Sequence, residues 1–224
     1  MNKSVVIVAG GKGSRMGTDI PKQFLSLCGR PVLMHTIEAF YRFDLHIQVV
    51  LVLPLDQQDY WKELCEKYRF DLPVEIISGG ETRFHSVRNG LSLVPEDVMV
   101  GIHDGVRPLV SGEVLAACYE SAERNQGAFP VVPVIDSLRR MTPEGSVMVD
   151  RSEYFAVQTP QVFHSNLIQK AYRQPYSDRF TDDVSVLESI GGKAVEVPGS
   201  PENIKITNIL DLDLAERLIM KKNG

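Results

Sequence analysis

Short, almost unbroken runs of valine and isoleucine recur along this chain, and amphipathic segments of helical length separate them. Strand-length runs without polar alternation are typical of strands buried on both faces, as in parallel sheets covered by helices. The predicted strands are Val5 to Val8, Ile47 to Leu53, Val74 to Ile77, Val98 to Ile102 and Phe129 to Val134. Because strands and helices alternate, the pattern predicts an α/β fold with a twisted, mostly parallel sheet flanked by helices.

Helices are predicted between these runs and after the last one. They extend from Pro31 to Phe43, Asp56 to Tyr68, Ser111 to Asn125 and Ile209 to Met220. The first begins at a proline, which suits the first turn of a helix. In the last, apolar residues at helical spacing predict a stripe that faces the core, formed by Ile209, Leu212, Ala215, Leu218 and Ile219. The arrangement as a whole is Rossmann-like.

One stretch, from Asp136 to Tyr154, interrupts this alternation with short, polar segments. It predicts a β-hairpin with its turn at Pro143 to Gly145. Such a hairpin is either a surface excursion or an arm that packs on another molecule. Since no internal repeat or linker is found, we predict a single domain over residues 1–224 with a protruding arm at about 136–156.

Composition excludes several functional classes. The formal net charge of −5 argues against a broad nucleic-acid or anionic-membrane surface, because both need a cationic excess. No apolar run approaches the roughly 20 residues that span a bilayer, and the first residues lack a secretory-signal pattern. The three cysteines form no C-x-x-C pair and the five histidines show no zinc-ligand spacing. We therefore expect a cytoplasmic protein that binds neither nucleic acid nor membrane.

The first predicted strand ends in a glycine-rich loop, Ala9 to Gly17. A loop of this kind exposes backbone N–H groups that a polyphosphate can approach closely. Its G-x-G-x-x-x-G spacing disfavours a dinucleotide-binding oxidoreductase, and the absence of G-x-x-x-x-G-K-[ST] excludes P-loop kinases and GTPases. Because three cations, Lys12, Arg15 and Lys22, lie in or beside the loop, phosphate binding is the better interpretation than solvated surface charge.

A second polar cluster, His103 to Pro108, follows another predicted strand, at the edge where open α/β sheets bind ligands. The Asp104 carboxylate could hold Mg²⁺ or a ribose hydroxyl. It could equally cap the following segment or pair with Arg107, and the local sequence favours neither interpretation. His103 is interpreted as a packed, hydrogen-bonded histidine rather than a catalyst.

Three more polar segments stand out: Gly79 to Arg83, Thr181 to Asp183, and Asn203 to Thr207. The first follows a predicted strand and opens a helix. Taken alone, Thr181 would be a helix N-cap and Lys205 a charge on an edge strand.

Together these segments resemble the 2-C-methyl-D-erythritol 4-phosphate cytidylyltransferases of the nonmevalonate isoprenoid pathway, which belong to the nucleotidyltransferase superfamily. The resemblance covers essentially the whole chain. The matching segments are Ala9-Gly10-Gly11-x-Gly13-x-Arg15-Met16, Pro21-Lys22-Gln23, Gly79-Gly80 with Arg83 and Ser86-Val87, His103-Asp104 with Arg107-Pro108, Val149-Asp150-Arg151, Gln158-Thr159-Pro160-Gln161, Thr181-Asp182-Asp183 and Asn203-Ile204-Lys205-Ile206-Thr207.

The resemblance implies transfer of CMP from CTP to 2-C-methyl-D-erythritol 4-phosphate, with Mg²⁺ as cofactor and release of pyrophosphate. It implies that Arg15, Lys22 and Lys205 are the catalytic cations. It implies nucleotide contacts from Ala9, Gly10, Gly11, Gly13, Gly80, Glu81, Ser86, Asp104 and Gly105, with Asp104 also at the metal. It implies acceptor contacts from Arg107, Ser137, Arg151 and Thr181. Arg151 on the arm would enter the acceptor site of a second subunit, so a homodimer joined by the arm is expected.

The chain departs from the family pattern at two positions. Gly105 stands where alanine is common, a change that a backbone contact should tolerate. Ser137 stands where threonine is frequent, at a position that the resemblance places beside the acceptor. Two rival functions are a ribitol-5-phosphate cytidylyltransferase and a nucleotide-binding regulator without turnover. Val149-Asp150-Arg151 and Thr181-Asp182-Asp183 favour the methylerythritol phosphate acceptor, and the full set of basic groups favours an enzyme.

Overall fold

The computed structural model describes residues 1–10 and 20–223, with side chains through Lys221. The strands are β1 (Lys3–Val8), β2 (Ser26–Leu27), β3 (Arg30–Pro31), β4 (Gln48–Leu53), β5 (Glu75–Ser78), β6 (Met99–Asp104), β7 (Gly127–Pro133), β8 (Arg139–Thr142), β9 (Gly145–Met148), β10 (Phe155–Val157), β11 (Gln161–His164) and β12 (Val195–Pro198). The helices are α1 (Val32–Phe43), α2 (Gln58–Tyr68), α3 (Arg83–Leu91), α4 (Gly112–Arg124), α5 (Ser165–Ala171), α6 (Asp183–Glu188) and α7 (Ile209–Asn223). All five predicted strands and all four predicted helices are present, with ends shifted by a few residues.

The central sheet has a parallel half and a mixed half. Strands β5, β4, β1 and β6 lie side by side and pair in parallel. Beyond β6, the antiparallel strand β11 lies between β6 and β7, while β12 pairs in parallel with β7 and β10 pairs antiparallel with it. The predicted α/β class with a mostly parallel sheet is confirmed, whereas the sequence pattern did not reveal β10, β11 and β12.

The strand register brings the predicted polar segments to one edge of the sheet. Val8 at the end of β1 lies opposite Asp104 at the end of β6 and opposite Val52 of β4. The Gly79 N–H donates to the Leu53 carbonyl oxygen at 2.9 Å, so the connection after β5 begins at the same edge. Parallel strands all end on one side, and the loops that follow them therefore surround one space.

The helices cover both faces of the sheet, and the side chains of β1 alternate between the two resulting cores. Val5 and Ile7 pack with residues of α1, α2 and α4, whereas Val6 packs with residues of α3, α5 and α6. All three are fully buried. Burial of each such side chain contributes about 1.5–3 kcal/mol, and this rigid sheet is the platform for the loops above it.

The polar stretch predicted as a hairpin forms the two-stranded sheet of β8 and β9, separate from the central sheet. Thr142 pairs with Gly145, and Pro143 and Glu144 form the turn between them. Gly145 has a φ of 129°, a region that residues with a Cβ rarely adopt, which explains glycine there. The hairpin prediction is confirmed; a role in dimerisation stays a prediction.

The last helix, α7, confirms the predicted core-facing stripe except at its first member. Ala215 is fully buried, and Leu212, Leu218 and Ile219 pack against the small cluster that contains Ile206. Ile209, by contrast, is 46% exposed at the start of the helix. Among the described residues, no helix combines the length and the apolar character needed to cross a membrane.

Candidate active site

A cavity of about 250 Å³ opens at the carboxyl edge of the parallel strands. Its lining includes most of the predicted nucleotide contacts that the structure describes: Ala9, Gly10, Gly80, Glu81, Ser86 and Asp104. Lys22 and Lys205, two of the predicted catalytic cations, line the same cavity. The structure therefore brings together residues that lie up to about 200 positions apart in the chain. Gly11, Gly13 and Arg15, together with Lys12, lie outside the described residues.

The start of the glycine-rich loop is held in place by Gln23, which is not among the site residues predicted from the sequence. The fully buried Gln23 amide donates to the Ala9 carbonyl oxygen at 2.8 Å and to the Gln57 side-chain oxygen at 2.7 Å. The Ala9 N–H donates to the Val52 carbonyl oxygen at 3.0 Å. The N–H and the carbonyl oxygen of Ala9 are thus both hydrogen-bonded, and these bonds fix the rim of the cavity.

The connection between β5 and α3 forms the opposite wall. The Gly80 N–H donates to the Ser86 hydroxyl at 3.1 Å, and Thr82 caps α3 by accepting from the His85 N–H. A Cβ on Gly80 would lie 2.4 Å from the Cβ of His85, so the wall requires glycine at this position. A flat ligand such as a base can then lie close to the backbone.

Asp104 is the electrostatic centre of the site. Its Oδ2 lies 2.9 Å from Lys205 Nζ and 3.4 Å from Arg107 Nε, while its Oδ1 lies 3.7 Å from Arg83 Nε. Burial alone would raise the pKa of Asp104, but the attraction of Arg83, Lys205 and Arg107 outweighs it and holds the pKa well below its usual range. The carboxylate is therefore ionised, and the pairing with Arg107 that the sequence allowed is present.

His103, next to Asp104, is a packed histidine as predicted. The Arg107 carbonyl oxygen accepts from its Nε2 at 3.1 Å, and the Thr159 hydroxyl donates to its Nδ1 at 3.1 Å. Thr159 in turn accepts the Asp104 N–H. Because the ring is fully buried, its pKa is lowered to about 4, and it is neutral at physiological pH.

A second cavity of about 310 Å³ adjoins the first, and Arg83, Asp104 and Lys205 line both. The predicted acceptor residues Arg107 and Thr181 line it. So do several residues that were not among our candidates, although the matching segments contain them: Gln158, Thr159, Gln161 and Asp182. Two anionic ligands could thus meet at a shared boundary, where Lys205 and Arg83 lie beside Asp104.

Lys205 belongs to a segment without regular secondary structure, which is anchored on both sides of the lysine. The Ile206 N–H donates to the Val106 carbonyl oxygen at 2.9 Å. The buried side-chain amide of Asn203 donates to the Thr159 carbonyl oxygen at 2.9 Å, and the backbone carbonyl oxygen of Asn203 accepts from Arg107 Nη1 at 2.7 Å. The interpretation of Lys205 as an edge-strand charge is wrong, because the segment follows the cavity instead of pairing in the sheet.

Gly105 does not line either cavity. Its N–H donates to the Val8 carbonyl oxygen and its carbonyl oxygen accepts from the Thr36 hydroxyl. A Cβ there would lie 2.8 Å from the Cβ of Ala9, so glycine gives the loop room. A direct contact of Gly105 with a nucleotide stays a prediction.

Ser137 and Arg151 are exposed on the hairpin and line neither cavity of their own chain. Arg151 donates to the Ile135 carbonyl oxygen within the arm. Their predicted acceptor contacts would need the site of a second subunit.

Comparison with known proteins agrees with this geometry. The family profile "2-C-methyl-D-erythritol 4-phosphate cytidylyltransferase" matches residues 4–222. The protein of that name from Phocaeicola vulgatus is 57% identical over 219 residues, covering 98% of this chain and all of the relative. The one from Syntrophus aciditrophicus is 40% identical over 225 residues, covering 98% and 96%.

A solved structure agrees as well. The crystal structure of the Thermus thermophilus 2-C-methyl-D-erythritol 4-phosphate cytidylyltransferase superimposes with a TM-score of 0.80 at 32% identity, covering 97% of this chain and 98% of that one. The chain therefore belongs to the 2-C-methyl-D-erythritol 4-phosphate cytidylyltransferase family.

Proposed function

We propose that this protein transfers the cytidylyl group of CTP to 2-C-methyl-D-erythritol 4-phosphate, releasing pyrophosphate, as a step in isoprenoid precursor biosynthesis. Family membership over the whole chain supports this function. The observation that carries it is the pair of adjoining cavities with a shared boundary of Arg83, Asp104 and Lys205. One cavity suits a nucleotide, the other suits a phosphate ester, and the shared lysine lies where their phosphates would meet.

The proposed reaction is attack of the acceptor phosphate oxygen on the α-phosphorus of CTP. A phosphate monoester has a second pKa of about 6, so the nucleophile is already largely dianionic at neutral pH. The reaction therefore needs no general base, and a neutral, fully hydrogen-bonded His103 is compatible with it.

The barrier to transfer is electrostatic, because two polyanions must meet and charge develops on the α-phosphate and the leaving pyrophosphate. Lys22 and Lys205 are proposed to stabilise the α-phosphoryl oxygens. Arg15 is proposed to stabilise the leaving pyrophosphate. Arg107 and Thr181, which line the second cavity, are proposed to hold the acceptor phosphate.

The ionised Asp104 fits a role at a magnesium ion that arrives with CTP. Mg²⁺ is commonly held by one or two carboxylates together with substrate phosphates and water. Within residues 1–10 and 20–223, no group of three or more His, Cys, Asp or Glu side chains could hold a metal, so the nucleotide would have to supply most of the ligands. When bound, the ion would neutralise phosphate charge; Asp104 would orient it together with the ribose.

We also propose a homodimer in which the arm completes the acceptor site of the second subunit with Arg151 and Ser137. The arm and its base expose large apolar side chains, which a monomer in water would not be expected to group together: Ile135, Met141, Met148 and Phe155. Contact with a second subunit would cover them. The three free cysteines fit a reducing compartment, and we place the reaction in the cytoplasm.

The test is to incubate the purified protein with CTP and Mg²⁺ and to measure pyrophosphate release with each of two acceptors. Release with 2-C-methyl-D-erythritol 4-phosphate and little with ribitol 5-phosphate is the expected result. The reverse preference would assign the ribitol phosphate reaction, and CTP binding without release from either acceptor would leave a nucleotide-binding regulator.

A further inference from the structure

We propose that Asp183, acting through Arg83, is a positioning residue that fixes the Asp104 carboxylate at the boundary between the two cavities. Neither Asp183 nor Arg83 is among the site residues that the sequence predicts. The inference rests on the cytidylyl transfer proposed above and concerns the same site.

Arg83, the first residue of α3, is held in a two-point contact. Its Nη1 and Nη2 donate to the two carboxylate oxygens of Asp183 at 2.8 and 2.7 Å. Asp183 is fully buried, whereas the Arg83 side chain keeps about a third of its surface exposed. Paired contacts of this kind fix the plane of a guanidinium as well as its position, which a single contact does not.

Asp183 is itself held by two further elements. The buried Tyr172 hydroxyl donates to its Oδ1 at 2.6 Å. Its backbone N–H donates to the side-chain oxygen of Gln161, at the start of β11, at 2.9 Å, and the Val184 N–H donates to the same oxygen at 2.9 Å. The Asp183 side chain therefore cannot turn away from Arg83 without losing its contact with Tyr172, and Gln161 ties the Asp183 backbone to the sheet.

The orientation of Asp104 follows from this arrangement. Since Asp183 engages both terminal nitrogens of Arg83, the Nε edge is the part that faces Asp104 Oδ1, at 3.7 Å. The other oxygen, Oδ2, faces Lys205 and Arg107. Different partners thus hold the two oxygens of Asp104, and its carboxylate plane is set before any ligand binds.

The charge balance of the Arg83–Asp183 pair distinguishes Arg83 from an arginine that binds phosphate. Asp183 compensates the positive charge of Arg83, so the pair adds little net attraction for phosphate. The attraction for phosphate therefore comes from Lys22, Lys205 and Arg107, whereas Arg83 orients the Asp104 carboxylate. Loss of the pair should therefore slow transfer much more than it weakens CTP binding.

Two single variants test this, with pyrophosphate release measured at saturating CTP and acceptor. Asp183→Asn keeps the shape but removes the compensating charge; Arg83→Lys keeps the charge but loses the two-point contact. We expect kcat to fall about 10- to 100-fold in each, by analogy with the cost of losing a hydrogen-bond partner that orients a metal-ligating side chain. The affinity for CTP alone, from titration calorimetry, should fall by less than about three-fold, since uniform binding is retained.

Matched controls come from exposed residues of the same types. Arg88 is exposed on α3, the helix that begins with Arg83, and Asp59 is exposed on α2. The control variants Arg88→Lys and Asp59→Asn should both leave kcat unchanged. Because a broken buried pair can also unfold a protein, the double variant Arg83→Gln/Asp183→Asn replaces it with a neutral pair that can still hydrogen-bond. We expect this variant to melt cooperatively near the wild-type temperature and to remain slow.

Folded single or double variants with kcat within about two-fold of wild type would overturn the positioning role, because such a difference is below the effect of one lost orienting contact. The positioning role would also be overturned if the loss of kcat in a variant equalled the fraction of that variant that is unfolded. Failure of the wild-type protein to release pyrophosphate is a different outcome, since it would refute the proposed function before any variant is compared.

Discussion

At the scale of single residues, the site is a small set of cations arranged around one buried carboxylate. The glycine-rich loop and its cations predict Lys22 as a member of the site from local sequence alone, whereas for Asp104 the local sequence leaves a ligand role and a structural role equally open. Lys205 needed the resemblance, because an isolated lysine in an unpaired segment has no local signature. Gln23 and Asn203 lie within the matching segments but are not predicted as site residues, since buried amides that support other groups show no pattern of charge.

The two lysines at the cavity should be needed for turnover and not for folding. We expect Lys22→Ala and Lys205→Ala to lower kcat on the order of 10²-fold or more, because each removes a positive group that stabilises transition-state charge. The measurement is pyrophosphate release, with circular dichroism as the check on folding. Lys62→Ala, at an exposed position of α2, is the control. Turnover like that of wild type in either site variant would refute the assignment.

His103 should make the protein lose stability in mild acid. Its pKa is about 4 in the fold and about 6.5 in an unfolded chain, so the unfolded state binds the proton first as pH falls. The contribution of the neutral His103 to the free energy of unfolding is fully present above pH 6.5. It is lost between about pH 6.5 and 4 and amounts to at most about 3 kcal/mol. Asp104, whose pKa is lowered, loses its contribution to the unfolding free energy only as the pH falls below about 3.9, the pKa of aspartate in an unfolded chain.

Urea unfolding at a series of pH values measures this effect. The His103→Gln variant should show a shallower decline of the unfolding free energy between pH 6.5 and 4 than wild type does. His46→Gln, which changes an exposed histidine, should keep the wild-type slope. Parallel curves for His103→Gln and wild type would exclude His103 as the cause.

At the scale of elements, the sequence predicted the parallel half of the sheet well and the other half poorly. Strands β1, β4, β5 and β6 contain runs of Val, Ile or Leu and are followed by helices, so their pattern is local. Strand β11 covers four residues, Gln161–His164, and pairs antiparallel between β6 and β7. A short strand that contains Gln and His has no distinct periodicity, and only its neighbours in the sheet define it.

The connection between β5 and α3 provides a test at this scale. Gly80→Ala should weaken CTP binding about 10-fold, because the new Cβ meets the Cβ of His85 and crowding of this kind commonly costs 1–3 kcal/mol. Titration calorimetry measures the affinity. Gly112→Ala adds the same methyl group at the start of α4, where nothing lies within 4 Å, and should bind CTP normally. Equal affinities in the two variants would show that the wall tolerates a side chain.

At the scale of the whole molecule, the proposed dimer predicts that two inactive chains can complement one another. Arg151→Ala would remove the arm contact supplied to the other subunit, while Lys205→Ala would disable the subunit that carries it. In a mixed dimer, one of the two sites has both residues intact. Re-equilibrated mixtures should recover up to about a quarter of the wild-type activity per site, as expected for random pairing across a two-fold interface.

The control for this experiment is a mixture of each variant with itself after the same treatment. Sedimentation analysis should show dimers in every sample. A mixed sample no more active than the mean of its two components would contradict a site shared between subunits.

The sequence alone determined the features that depend on local pattern. Buried Val and Ile runs between amphipathic segments determine the α/β class, and glycines followed by cations predict which strand end would bind phosphate. The tertiary structure decided how charges from distant segments are paired. Arg83 meets Asp183, 100 residues later, and Lys205 meets Asp104. Such pairings depend on strand order and register, which place remote segments a few ångströms apart, and no local spacing specifies them.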